Sequence, residues 1–189
     1  MPGAPPIRRA HALRLVFAAG LVALVAVPVA RYVTGVGAPS RSTPVLVAFG
    51  DSLTEGGEGI SRPWPSVLAE RLTRSPDGQV RVVNAGISGN RLLRDAFGPS
   101  GVAQFERDVL GRPGVRWVVV LEGINDLGYP GSVHPEAPRV TADELIAGYR
   151  QLVRKARAAG VKIYGGTLLP FEGAGQGYFA PDKEEVRQA

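Results

Sequence analysis

The chain contains no cysteine. That excludes disulfides, thiolate metal sites, a cysteine nucleophile and an acylated-cysteine anchor, while leaving the compartment open. Histidine is nearly as scarce: His11 and His134 are the only two in 189 residues. Acids are missing from the first 44 residues, which carry Arg8, Arg9, Arg14, Arg31 and Arg41. Those five arginines account for the whole formal charge of +5, since the rest of the chain sets 17 Lys+Arg against 17 Asp+Glu. The high isoelectric point therefore belongs to the leader. The folded part has no basic stripe of the kind nucleic-acid binding requires, and a nucleic-acid partner is set aside. Internal repeats and low-complexity segments are also absent from the part beyond the leader.

What the leader does have is a pattern. Arg8, Arg9 and Arg14 precede the uncharged apolar run Leu15–Ala30, and Arg31 follows it. A positive segment followed by an apolar one is the layout of a signal peptide. The run is short beside the ~20 residues of a full membrane span, yet close to the lower limit. No clean A-x-A site is present, because Pro28-Val29-Ala30 has Pro at −3 and Val36-Gly37-Ala38 is followed by Pro39. Cleavage and retention as an N-terminal anchor both stay open, and either predicts an extracytoplasmic protein, secreted or membrane-anchored. Residues 1–44 read as leader plus linker, and 45–189 as one domain.

Within that domain strands and helices alternate. Val45–Phe49 is a continuous apolar run that suits a strand buried on both faces. Arg81–Asn84, Trp117–Leu121 and Val161–Tyr164 read as three more strands. A helix is predicted from Pro65 through Leu72, since Pro is tolerated in a first turn, and another over Val102–Leu110. Thr141-Ala142-Asp143-Glu144 is a capping box opening a helix with Leu145, Ile146, Tyr149, Leu152, Val153 and Ala156 on one face. Gly160 ends it. Glu184 onward reads as the start of a further helix. The alternation implies a parallel sheet covered by helices on both faces, whose ligands bind beyond the carboxyl ends of the strands.

Three short segments sit at such ends: Gly50-Asp51-Ser52-Leu53, Ala85-Gly86-Ile87-Ser88-Gly89-Asn90 and Gly123-Ile124-Asn125-Asp126. A parallel sheet brings their hydroxyl, glycine-rich backbone and carboxamide to one edge. Acyl transfer needs that inventory, because a serine attacks a carbonyl and the developing oxyanion needs donors already aimed at it. Each segment alone is also an ordinary capped turn. Their occurrence together, in order and each after a strand, favours chemistry. Glu55 and Glu58 read as a solvated loop, and Trp64 and Trp117 as packing residues.

The three segments resemble the first three sequence blocks of the SGNH (GDSL) hydrolase family, with softer similarity to its lysophospholipase-L1-like and carbohydrate-esterase members. The resemblance implies a three-layer α/β/α sandwich with a parallel, flavodoxin-like sheet whose last strand is missing here. It implies Ser52 as nucleophile and an oxyanion hole from the Ser52 and Gly89 N–H groups and the Asn125 side chain. Asp51 and Asp126 become supporting residues. No metal and no cofactor is expected, and the substrate is a small-molecule, polysaccharide or lipid ester. Family members finish with D-x-x-H, and no D-x-x-H occurs in this sequence. The sequence therefore reads as a carboxylester hydrolase lacking its catalytic Asp and His, expected beyond Ala189. A non-catalytic glycan- or partner-binding module and an acyltransferase are the alternatives. His134, in the Pro/Gly-rich loop 129–138, is a poor candidate for the base.

Overall fold

The computed structural model describes residues 43–57, 59–75, 79–175 and 177–189. The leader readings and Glu58 lie outside the described residues. From Val45 on, one four-stranded sheet organises the chain: β1 (Val45–Gly50), β2 (Arg81–Gly86), β3 (Val115–Leu121) and β4 (Lys162–Gly165). Their order is β2-β1-β3-β4, and every neighbouring pair is parallel. Helices α1 (Ser52–Glu55), α2 (Trp64–Thr73), α3 (Gly101–Phe105), α4 (Ile124–Gly128), α5 (Ala142–Ala158) and α6 (Pro181–Gln188) complete a three-layer α/β arrangement.

Each strand differs from its sequence-based bounds by one or two residues. β2 runs on to Gly86 because Ala85 and Gly86 pair with Phe49 and Gly50 of β1. β3 begins at Val115, and its register against β1 shifts once, between Val45 and Leu46. The expectation of strands buried on both faces holds for β1, where Val45, Val47, Ala48 and Phe49 are at most 1% exposed. It does not hold throughout. In β3 only Val118 and Val120 are buried, and β4 keeps most of its residues exposed as the last strand in the order. An edge strand has a neighbour on one side only, so less of it is covered.

α5 shows how a sequence pattern becomes packing. Thr141 Oγ1 accepts from the Glu144 N–H at 3.2 Å, and Glu144 Oε2 accepts from the Thr141 N–H at 2.8 Å, so the capping box is formed. One helical stripe, Leu145, Leu152 and Ala156, is buried in the core with Phe49, Phe105 and Val118. Gly160 follows the helix with φ +69°, a left-handed value that glycine adopts freely. The helix expected at Val102–Leu110 is α-helical only to Phe105 and continues as a π-helical turn, Glu106–Leu110, where the Gly111 N–H reaches Glu106 O at 2.7 Å. Five residues are too few for hydrophobic spacing to separate the two pitches. α6 starts at Pro181, three residues before the expected Glu184, because Pro is suited to a first helical position.

Candidate active site

The strand pairing sets Gly50 level with both Gly86 and Leu121, at the carboxyl ends of three adjacent strands. Ser52 lies two residues past that line, Gly89 three and Asn125 four. The Ile87 N–H bonds Gly50 O at 2.9 Å, which carries the pairing past the strand ends.

Ser52 is half-buried at the first position of α1. Asp51 caps that helix, its Oδ1 accepting from the Leu53 N–H at 2.9 Å. The turn is tied to its surroundings by side chains: Asn84 Nδ2 donates to Thr54 O at 2.8 Å, and Trp64 Nε1 donates to Thr54 Oγ1 at 3.3 Å. Glu55 is not merely solvated, as the sequence had indicated. It ends α1, and its Oε2 accepts from both the Ser88 N–H and the Ser88 hydroxyl, which locks the Ser52 segment to the Gly89 segment. A single glutamate on a polar stretch carries no signal that would have shown this.

Gly89 is half-buried with φ +74°. Asn125 is buried in α4, where Nδ2 donates to Asn90 O at 2.7 Å and Oδ1 accepts from the Tyr178 hydroxyl at 2.6 Å. An amide nitrogen has two hydrogens, so one remains beyond the bond to Asn90. Neither the Ser52 N–H nor the Gly89 N–H has a protein acceptor among the described residues. Asp126, the next residue, is buried. Its carboxylate accepts from the Leu92 and Leu93 N–H groups at 2.6 and 3.0 Å and pins the chain that follows Asn90.

Sequence reasoning missed several residues that shape the site. Asn90 is fully buried, with Nδ2 on Pro99 O and Oδ1 accepting from Gln104 Nε2. Tyr129 donates to Gly89 O at 3.0 Å. Phe97, 65% exposed, stands edge-to-face on Tyr129 with centroids 6.2 Å apart. Only the asparagine lay inside a recognised segment; the others come from loops whose contacts sequence spacing does not encode.

Three acids collect beneath the site. Asp51, Glu122 and Asp126 are each 1% exposed. Burial pushes the Asp51 carboxyl from 3.8 up to about 6, opposed by its bond from Leu53 and reinforced by the charge of Asp126. Burial likewise drives Glu122 well above the ordinary carboxylate value, with Asp51 and Asp126 adding to it. Among the described residues Asp51 Oδ2 has no hydrogen-bond partner within ordinary distance.

His134 is exposed, with its ring edge-to-face on Tyr129 at 5.4 Å. Ser52 Oγ has no hydrogen-bond partner among the described residues, and no group of three His, Cys, Asp or Glu there could hold a metal ion. A free serine hydroxyl is a weak nucleophile without an adjacent base.

A parallel α/β sheet that sets a capped serine turn, the Gly89 N–H and the Asn125 amide beyond one edge has the layout of an α/β hydrolase fold. Residues 48–189 match the model of the GDSL-like Lipase/Acylhydrolase family, and the chain belongs to that family. It matches no curated protein. Among solved structures it is similar to Axe2, an acetylxylan esterase from Geobacillus stearothermophilus, at 25% identity and TM-score 0.54, over 77% of this chain and 68% of that one. The acetyl xylan esterase AlAXEase shares 22% identity at TM-score 0.56, covering 76% of this chain and 69% of its own. A Desulfitobacterium hafniense protein assigned to the lipolytic G-D-S-L family shares 23% at TM-score 0.55, covering 77% and 69%.

Proposed function

We propose that the protein is a carboxylester hydrolase that works through a Ser52 acyl-enzyme, with acyl or acetyl esters of carbohydrates or lipids as substrates. Family membership supports esterase chemistry, and the acetylxylan esterase neighbours support a carbohydrate ester. One observation carries the reading. The Ser52 N–H, the Gly89 N–H and the second hydrogen of Asn125 Nδ2 are left without protein acceptors among the described residues, at a single sheet edge. Three donors so placed suit the oxygen of a tetrahedral intermediate formed on Ser52. In that mechanism Ser52 Oγ attacks the ester carbonyl as a base takes its proton, the carbonyl π pair moves onto oxygen, and collapse of the tetrahedral intermediate expels the leaving oxygen, which takes that proton and departs as the alcohol. Water then repeats the cycle on the acyl-serine.

His134 is exposed and held on Tyr129, so it is not set against Ser52 as the base. The test is labelling of the protein by a serine-directed fluorophosphonate. Labelling that disappears in Ser52→Ala is expected. Absence of labelling would overturn the esterase reading in favour of a binding module.

A further inference from the structure

Asn125 can act as an oxyanion donor only if its amide is held with nitrogen toward the reacting edge, and two contacts determine that. Asn90 O can only accept, so the atom facing it is Nδ2; the other atom, Oδ1, must then accept, and it meets the Tyr178 hydroxyl at 2.6 Å. Rotating the amide by half a turn would set oxygen against oxygen at Asn90. Of the two contacts, the Asn90 carbonyl belongs to the Gly89 segment, and Tyr178 belongs to the loop before α6.

Tyr178 is itself held. Its ring lies against Gly128, the last residue of α4, so closely that a Cβ at that glycine would fall 2.0 Å from Tyr178 Cζ. It stacks edge-to-face with Tyr129 at 6.2 Å and with Phe171 at 6.0 Å. Lys183, 3% exposed, donates from Nζ to Gly128 O at 2.9 Å, Gly177 O at 2.7 Å and Tyr178 O at 2.9 Å. These three bonds use all three ammonium hydrogens. One carbonyl comes from the end of the helix that carries Asn125, and the other two from the loop that carries Tyr178. The lysine therefore clamps the two segments at the spacing the hydroxyl-to-amide bond needs.

We propose that Tyr178 is the positioning residue for the Asn125 oxyanion donor and that Lys183 holds Tyr178 in place. The catalytic part of this proposal rests on the esterase reading above; the geometric part does not. Tyr178→Phe removes one hydroxyl and keeps the ring packing, so it isolates the bond to Oδ1.

The experiment follows the Asn125 side-chain amide by ¹⁵N NMR in the full chain, assigned by its loss in Asn125→Ala. In Tyr178→Phe this amide pair is expected to shift and to exchange with water about tenfold faster, as a group does when local protection is lost. Lys183→Met moves the same pair in the same direction. Where Ser52-dependent hydrolysis of p-nitrophenyl acetate is measured, kcat falls about tenfold in Tyr178→Phe at unchanged KM. That is less than the ~10²–10³ lost when an oxyanion donor itself is removed. An Asn125 amide that stays unchanged in Tyr178→Phe overturns the proposal, whether or not Lys183→Met folds. An amide that responds in a chain with no Ser52-dependent hydrolysis overturns the esterase reading and leaves the positioning role standing. Unaltered hydrolysis by Tyr178→Phe does the reverse.

Discussion

Gly89 holds φ at +74°, and a Cβ there would lie 2.4 Å from Phe97 Cδ2 and 2.7 Å from Tyr129 Oη. Two separate requirements therefore fall on one residue. The left-handed backbone costs a non-glycine residue about 1 kcal/mol, and a Cβ would press on both aromatic side chains as they stand. Phe97 is exposed and free to swing aside, whereas Tyr129 is 4% exposed and bonded to Gly89 O. Gly89→Ala is expected to leave the fold intact and to turn the Gly89 N–H away from its present direction. Fluorophosphonate labelling of Ser52 should slow by ~10²-fold, the scale of losing one oxyanion donor. Labelling at the wild-type rate would remove Gly89 from the oxyanion hole.

At the scale of elements, α5 is the clearest case of a segment whose sequence, cap and packing agree. Its capping box satisfies two backbone N–H groups through Thr141 and Glu144, and its buried stripe docks on the sheet. Thr141→Ala removes the acceptor for the Glu144 N–H and is expected to cost about 1 kcal/mol. A urea titration should show a lower midpoint with an unchanged slope, and Thr141→Ser should restore it. Equal midpoints for Thr141→Ala and wild type would mean that water replaces the cap without loss. α6 differs, because its position depends on Lys183 reaching across to Gly128 and the loop rather than on a capping side chain.

For the molecule as a whole, the buried carboxyls make stability depend on pH. Asp51, at about 6 in the folded state against an ordinary 3.8, binds its proton more tightly folded than unfolded. The stability this confers is fully present below about pH 4 and is lost as pH rises through about 6. Glu122 is shifted in the same direction by burial and by Asp51 and Asp126. Asp108, Glu144 and Glu184 are shifted the opposite way by their hydrogen-bond partners, so the wild-type profile alone mixes both signs. Glu122→Gln isolates the buried cluster, since an amide stays neutral throughout. Its stability relative to wild type should increase as pH rises above 4.5, the ordinary glutamate value, in denaturant melts. A difference that is flat with pH would show that Glu122 does not titrate against folding.

The sequence alone determined the order of the strands along the chain, the places of α2, α3, α5 and α6, the capped start of α5 and the three segments that carry Ser52, Gly89 and Asn125, while α1 and α4 within those segments were not read as helices. These follow from local rules: apolar runs bury, capping residues satisfy free N–H groups, and glycine takes left-handed turns. The same rules left strand ends and the π-helical turn unresolved, because hydrogen bonding to a neighbouring strand or the pitch of a single turn decides those. Tertiary structure alone decided that Glu55 joins the first two segments, that Glu122 lies buried beside Asp51, and that Tyr178 and Lys183 reach the Asn125 helix from some 50 residues away. The physical reason is that a donor's aim depends on what packs behind it. Those neighbours come from distant loops, where no periodicity in the chain marks which residues will meet.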